Sequence, residues 1–335
     1  MRRLFRGLSV AGFGLLAALL INVPSHSPAF AQDDSSAEPL DPFTVTIELD
    51  DALHFADLFR ETGGAPDAAQ LKSGYLDRGG RALEIFTPGR IVDANNLAAN
   101  IAADRAAYAD AVERCLPMVR QSESDLRAIY LAFRGLLPER ELPRIAVVFG
   151  AGNSGGTARP GMQVLGLEVL CRASPDEAAF RALMRDFFAH ETVHTMQRLD
   201  RAKLERDGLL AATIMEGTAD YIAHLVTGSV PDPARAKWAR ENEELVWREF
   251  VADVRIWRDP AIGMERKMQA YTRWIGNAGN PPDGWPSELG YWVGMRIAEG
   301  YVANAPDRQA AILELLEFDN PSAVLAQSGL ELPSI

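Results

Sequence analysis

The chain has 335 residues, a formal net charge of -12 and 47% hydrophobic residues. That length is enough to bury a substantial core, as one large domain or two smaller ones. The acidic balance disfavours a nucleic acid or an anionic membrane as partner, because either would repel the chain at long range. Cysteine occurs only at Cys115 and Cys171, with no CxxC pair, so a thiolate metal site has no support.

In chain order, MRRLFR, the apolar run GLSVAGFGLLAALLINV and the small-residue site around Ala29-Phe30-Ala31 read as an export signal over 1–31, cleaved after Ala31. The apolar run is shorter than a membrane span requires. No cysteine stands directly after the cleavage site, which argues against a lipid anchor and leaves a periplasmic or secreted protein with no membrane partner. In that oxidising compartment Cys115 and Cys171 read as a disulfide, worth about 4 kcal/mol on the entropic view of loop closure.

Residues 32–42, QDDSSAEPLDP, have little to bury and read as a mobile lead-in; a single domain is expected over 43–335. From Asn95 to Leu137 helical spacing broken at Pro117 and Pro138 predicts two consecutive helices. RIAVVF, 144–149, reads as a strand. GAGNSGGTARPG, 150–161, lacks the GK[ST] ending of a phosphate-binding loop and reads as a flexible loop leading to a second strand in MQVLGLEVL. Ser174 as cap, Pro175 and Glu177 then predict a helix running through FFAHETVHTMQ, with further helices over 209–227 and 232–257. The chain is expected to be α+β and predominantly helical.

His190 and His194, four residues apart on a helix, share one face and can present two nitrogens to one ion. Glu191 between them is turned away and fits the general base that takes a proton from a metal-bound water. Zinc needs a third protein ligand, and Glu216, set among alanines on the next helix, supplies it. Asp220, one turn further, fits a partner for the far N–H of a ligand histidine. Asp200 is the rival third ligand, but Gln197 stands where the glycine of that arrangement would be. His224 lies too far along the helix to share the ion, and His54 has no motif around it. Tyr291 is a candidate hydrogen-bond donor to an oxyanion, and Arg296 a candidate carboxylate-orienting cation.

His190-Glu191-Thr192-Val193-His194 with Glu216-Gly217-Thr218-Ala219-Asp220 resembles the gluzincin metallopeptidases. GNSGGT at 152–157, EGTADYIA, GYWVGMRIAEGY at 290–301 and the late QSG are similar to the predicted zinc-dependent proteases of the DUF2268 type. The resemblance implies a zincin-like fold, with a small sheet over an active-site helix and a helical C-terminal part. With the export signal it gives an exported zinc peptidase acting on a peptide or protein substrate, and the lack of an aminopeptidase-type GxMEN segment favours an endopeptidase. The competing expectation is a non-catalytic periplasmic protein that keeps the scaffold to bind metal or peptide.

Overall fold

The computed structural model describes residues 40–198, 200 and 205–330. The signal expected over 1–31, and most of the lead-in expected over 32–42, lie outside the described residues.

Four short strands make one mixed sheet: β1 (Ile47–Glu48), β2 (Arg144–Val148), β3 (Gly156–Arg159) and β4 (Met162–Gly166), in the order β1-β2-β4-β3. β1, β2 and β4 are parallel, while β3 runs antiparallel to β4. The paired centre explains the apolar runs, since Ile145 to Val148 and all of β4 are buried. The loop expected over 150–161 therefore contains a strand, with Gly156 opposite Leu165 and Arg159 opposite Met162. MQVLGLEVL is a strand only as far as Gly166, and Leu167–Arg172 forms a helix. Its buried Glu168 accepts the N–H groups of Gly150 at 3.0 Å and Gly152 at 3.1 Å, which ties down the glycine-rich turn.

Helix occupies most of the rest. Helix α1 (Asp50–Glu61) packs on β2. The two helices expected over 95–137 are instead several pieces, Ala94–Ala103, Arg105–Asp110, Leu116–Val119 and α2 (Glu123–Leu136). Asp104 starts a new piece by accepting the Ala107 N–H, and Pro117 is tolerated because it lies in a first turn, where its missing N–H has no partner to lose. Helix α3 (Glu177–Met196) is capped by Asp176, which accepts the Ala179 N–H at 2.8 Å. Ser174 is not that cap, because its hydroxyl donates back to the Leu170 carbonyl. The expected 232–257 helix breaks at Asn242 into α5 (Pro233–Glu241) and α6 (Glu243–Arg258), following α4 (Gly208–Thr227). Helix α7 (Leu289–Asn304) completes the set that surrounds the site.

Three local features place α3 and α4. Gln163, fully buried on β4, donates to Thr192 Oγ1 at 2.7 Å and to the Phe188 carbonyl at 3.3 Å, which fixes α3 beneath the sheet. Helix α4 is apolar nearly all round, as a fully enclosed helix must be, and each buried Leu or Ile contributes about 2 kcal/mol. It ends at Gly228, whose φ of 72° is a left-handed C-cap that glycine adopts without steric cost. Far from this face, Cys115 and Cys171 are joined as a disulfide with Cα atoms 5.8 Å apart, fastening residues 111–115 to the helix Leu167–Arg172.

Candidate metal centre

His190 and His194 project from α3 toward Glu216 on α4. Their Nε2 atoms are 2.9 Å apart, and Glu216 Oε2 lies 3.4 Å from His190 Nε2 and 3.2 Å from His194 Nε2. Ligands of a tetrahedral zinc, each about 2.0–2.1 Å from the ion, are separated by roughly 3.3 Å, close to the two histidine–glutamate spacings and wider than the gap between the histidines. Among the described residues these three form the group able to hold a metal ion, with ligand atoms all within 4.8 Å of one another. Asp200, the rival third ligand, is exposed and does not belong to it.

The outer nitrogens are fixed. His190 Nδ1 lies 2.9 Å from Asp220 Oδ1, and His194 Nδ1 lies 2.7 Å from Gln197 Oε1. Both partners are acceptors there. Gln197 is oriented by its own Nε2, which donates to the Met215 carbonyl at 2.9 Å. Each Nδ1 therefore carries the proton, and each Nε2 lone pair is left facing the centre. Two such lone pairs at 2.9 Å repel unless a cation or a proton lies between them. Glu216 Oε1 adds to the same demand, being buried with no hydrogen-bond partner among the described residues. The donor set fits zinc.

Titration behaviour has the same sign. Burial alone would depress the His190 imidazole, but Asp220 and Glu216 more than offset it and raise the group to about 10. His194 is raised as well, burial again opposing and Glu216 prevailing. Burial would raise the Glu216 carboxyl, yet the two histidines hold it far below the usual carboxylate range. Without metal, these shifts favour protons on the two histidines opposite the Glu216 carboxylate.

Glu191 is 2% exposed and lies against the start of β3, where a Cβ built on Gly156 would approach its Oε1 to 2.9 Å. Burial pushes its carboxyl up, against the pull of His194 and His190. Tyr291 is brought to the centre, its ring nearly parallel to that of His190 with centroids 5.8 Å apart. Arg296 is occupied elsewhere, donating to Glu299 at 3.1 Å. His224 Nδ1 lies 2.6 Å from the Ser229 carbonyl oxygen, at the end of α4. Gln163, Gln197 and Arg235 were not among the expected site residues. Only Gln197 left a signal, its position three residues after His194.

Fold and site together define a predominantly helical α+β protein with a cluster of His190, His194 and Glu216 between two helices. The chain belongs to a lipoprotein family described as gliding motility protein GldB, whose sequence pattern matches residues 91–331. No curated protein and no solved structure is recognisably similar to the chain. Family membership overturns the gluzincin and DUF2268-type identification, and with it the zinc endopeptidase and the hydrolytic roles given to Glu191 and Tyr291. The physical reason for the error is that HExxH with a following acid specifies how an ion is held; three such ligands serve a structural ion as well as a hydrolytic one. Membership places the protein with the cell envelope and does not support the expected absence of a lipid anchor. No described helix is long and apolar enough to cross a membrane.

Proposed function

We propose that this protein is a non-catalytic envelope component of gliding motility that binds zinc through His190, His194 and Glu216 in a zincin-like scaffold. The observation that carries this reading is the convergence of three donors from α3 and α4, His190 and Glu216 buried and His194 partly so, with Glu216 Oε1 unpartnered among the described residues. When bound, zinc supplies positive charge to a buried carboxylate and a link between two helices. Asp220 and Gln197 hold the imidazole protons on Nδ1, so that both Nε2 atoms serve as donors. His190, Glu191 and Glu216 are buried and His194 is only partly exposed, which supports a structural ion over one that meets substrate. Two surface clefts, one lined by Leu76, Leu83 and Thr87 and the other by Tyr301, Asn304 and Glu314, share no residue with the centre. The partner is a protein or peptide on the periplasmic side, since the net charge of -12 disfavours nucleic acid.

The test is thermal unfolding of the mature chain with chelator and with zinc, beside a peptide-library digest under both conditions. A ligand present at a thousand times its Kd stabilises by about 4 kcal/mol, so zinc should raise the midpoint by several degrees. No peptide should be cleaved. Chelator-sensitive cleavage would contradict the non-catalytic reading, and an unchanged midpoint would contradict the metal.

A further inference from the structure

Beyond the ligands and Asp220 lies a cation that the metal reading does not use. Arg235, on the first turn of α5, is buried, with 6% of its surface exposed. Its Nη2 donates to Asp220 Oδ2 at 3.0 Å, and its Nη1 is 4.0 Å from Asp232 Oδ2. The guanidinium carbon sits 5.2 Å from the centre of the Tyr291 ring, the same ring that lies against His190. The local backbone is built to hold it there. Asp232 adopts φ 40°, a left-handed conformation that costs a non-glycine residue energy, and its side chain accepts the Arg235 N–H at 2.9 Å.

We infer that Arg235 is a positioning residue for the metal centre, acting through Asp220 on His190. The inference rests on the metal reading for its consequence but not for its geometry. An aspartate has two oxygens, and with only one of them held its carboxylate can still turn about the soft terminal side-chain bond. Here Oδ1 faces His190 Nδ1 and Oδ2 faces Arg235, so the carboxylate plane is fixed at both corners. A planar guanidinium does this better than an ammonium, because its donors are rigidly placed. Without Arg235, Asp220 would turn, the His190 Nδ1–H would lose its directed acceptor, and Nε2 would no longer be held toward Glu216. The link also makes α5 part of the centre, although α5 carries no ligand.

The experiment compares the full mature chain with Arg235→Gln, Arg235→Lys, Asp220→Asn and the Arg235→Gln/Asp220→Asn double variant. Zinc affinity is read by competition with a chromogenic chelator, and circular dichroism establishes that each variant is folded. Arg235→Gln should weaken zinc binding about 10-fold or more, the range typical of groups that orient a ligand histidine. Arg235→Lys should recover part of the loss. The double variant should be no weaker than Asp220→Asn alone, because both changes break one chain of contacts. A second readout needs no metal: the low-field proton resonance of His190 Nδ1–H should be seen in the chelated parent and be broadened or absent in Arg235→Gln. Folded Arg235→Gln with unaltered affinity and an unaltered resonance would overturn the inference, as would fully additive losses in the double variant. A parent that shows the resonance, loses it in Arg235→Gln and yet binds no zinc would leave the positioning intact and overturn the metal reading instead.

Discussion

Gly217 on α4 and Gly294 on α7 bring two helix backbones into contact. A Cβ on Gly217 would lie 2.0 Å from the Gly294 carbonyl carbon, and one on Gly294 would lie 1.8 Å from the Thr213 carbonyl oxygen. Neither neighbour is the movable end of a side chain, so the helices must part to admit even a methyl group. Gly217→Ala should therefore destabilise the protein by about 3 kcal/mol, the upper part of the range for overpacked cores, and weaken zinc binding because Glu216 is the adjacent residue. Gly135→Ala is the control. No atom lies near its added Cβ, and as a helical glycine replaced by alanine it should gain about 0.5–1 kcal/mol. Urea denaturation of the two variants would show these opposite signs; equal, small effects would mean that the close approach is not maintained in solution.

The Cys115–Cys171 bond closes a sequence separation of 56 residues. Its removal by Cys115→Ala/Cys171→Ala should lower stability by about 4 kcal/mol, since the unfolded chain regains the freedom that the bond denies it. Peptide mapping without reduction should recover the linked fragment from exported protein. Two freely alkylated thiols in native material, or a double variant as stable as the parent, would count against the bond.

Glu288, the buried residue preceding α7, accepts the N–H groups of Gly276 and Ala278, each at 2.9 Å, and has φ 56°. Burial pushes its carboxyl up to about 7, with Glu216 adding to the rise and the Gly276 N–H and Arg235 opposing it. A carboxyl whose folded value lies above its unfolded one stabilises fully below the unfolded value, near 4.5, and loses that contribution as pH rises through 7. In chelator-containing buffer the parent should lose stability relative to Glu288→Gln between pH 4.5 and 7.5, by on the order of 3 kcal/mol. Parallel stability curves for the two proteins would remove Glu288 from this account.

The choice of third ligand gives a ranking. Glu216→Ala should lower zinc affinity most, and Asp220→Ala should lower it about 10 to 100-fold by releasing the His190 Nδ1–H. Asp200→Ala should leave it unchanged, as Asp200 lies outside the ligand group. Chelator competition places all three on one scale. A silent Glu216→Ala beside a damaging Asp200→Ala would reverse the assignment.

Much of the site was legible because its residues obey helical spacing: His190 with His194 on α3, and Glu216 with Asp220 on α4, are each one turn apart. What no local rule reveals is the partner from elsewhere in the chain. Arg235 carries no signal of its burial beneath Tyr291, and Gln163 reads as an ordinary polar residue in a strand. The sheet was half legible for a related reason. β2 and β4 are apolar because they are central, whereas GTAR of β3 and the two residues of β1 owe their extended form to the strands they pair with. Function misled further than fold, since HExxH reports the geometry of ion binding and says nothing of whether a substrate reaches the ion.

The zinc content of the full mature chain is the most direct measure of the central claim. Elemental analysis after exhaustive dialysis should find about one zinc per chain, lost on stripping with chelator, restored by added zinc, and absent from Glu216→Ala. Substoichiometric metal that added zinc does not restore, or the same zinc content in Glu216→Ala as in the parent, would contradict a centre built from His190, His194 and Glu216.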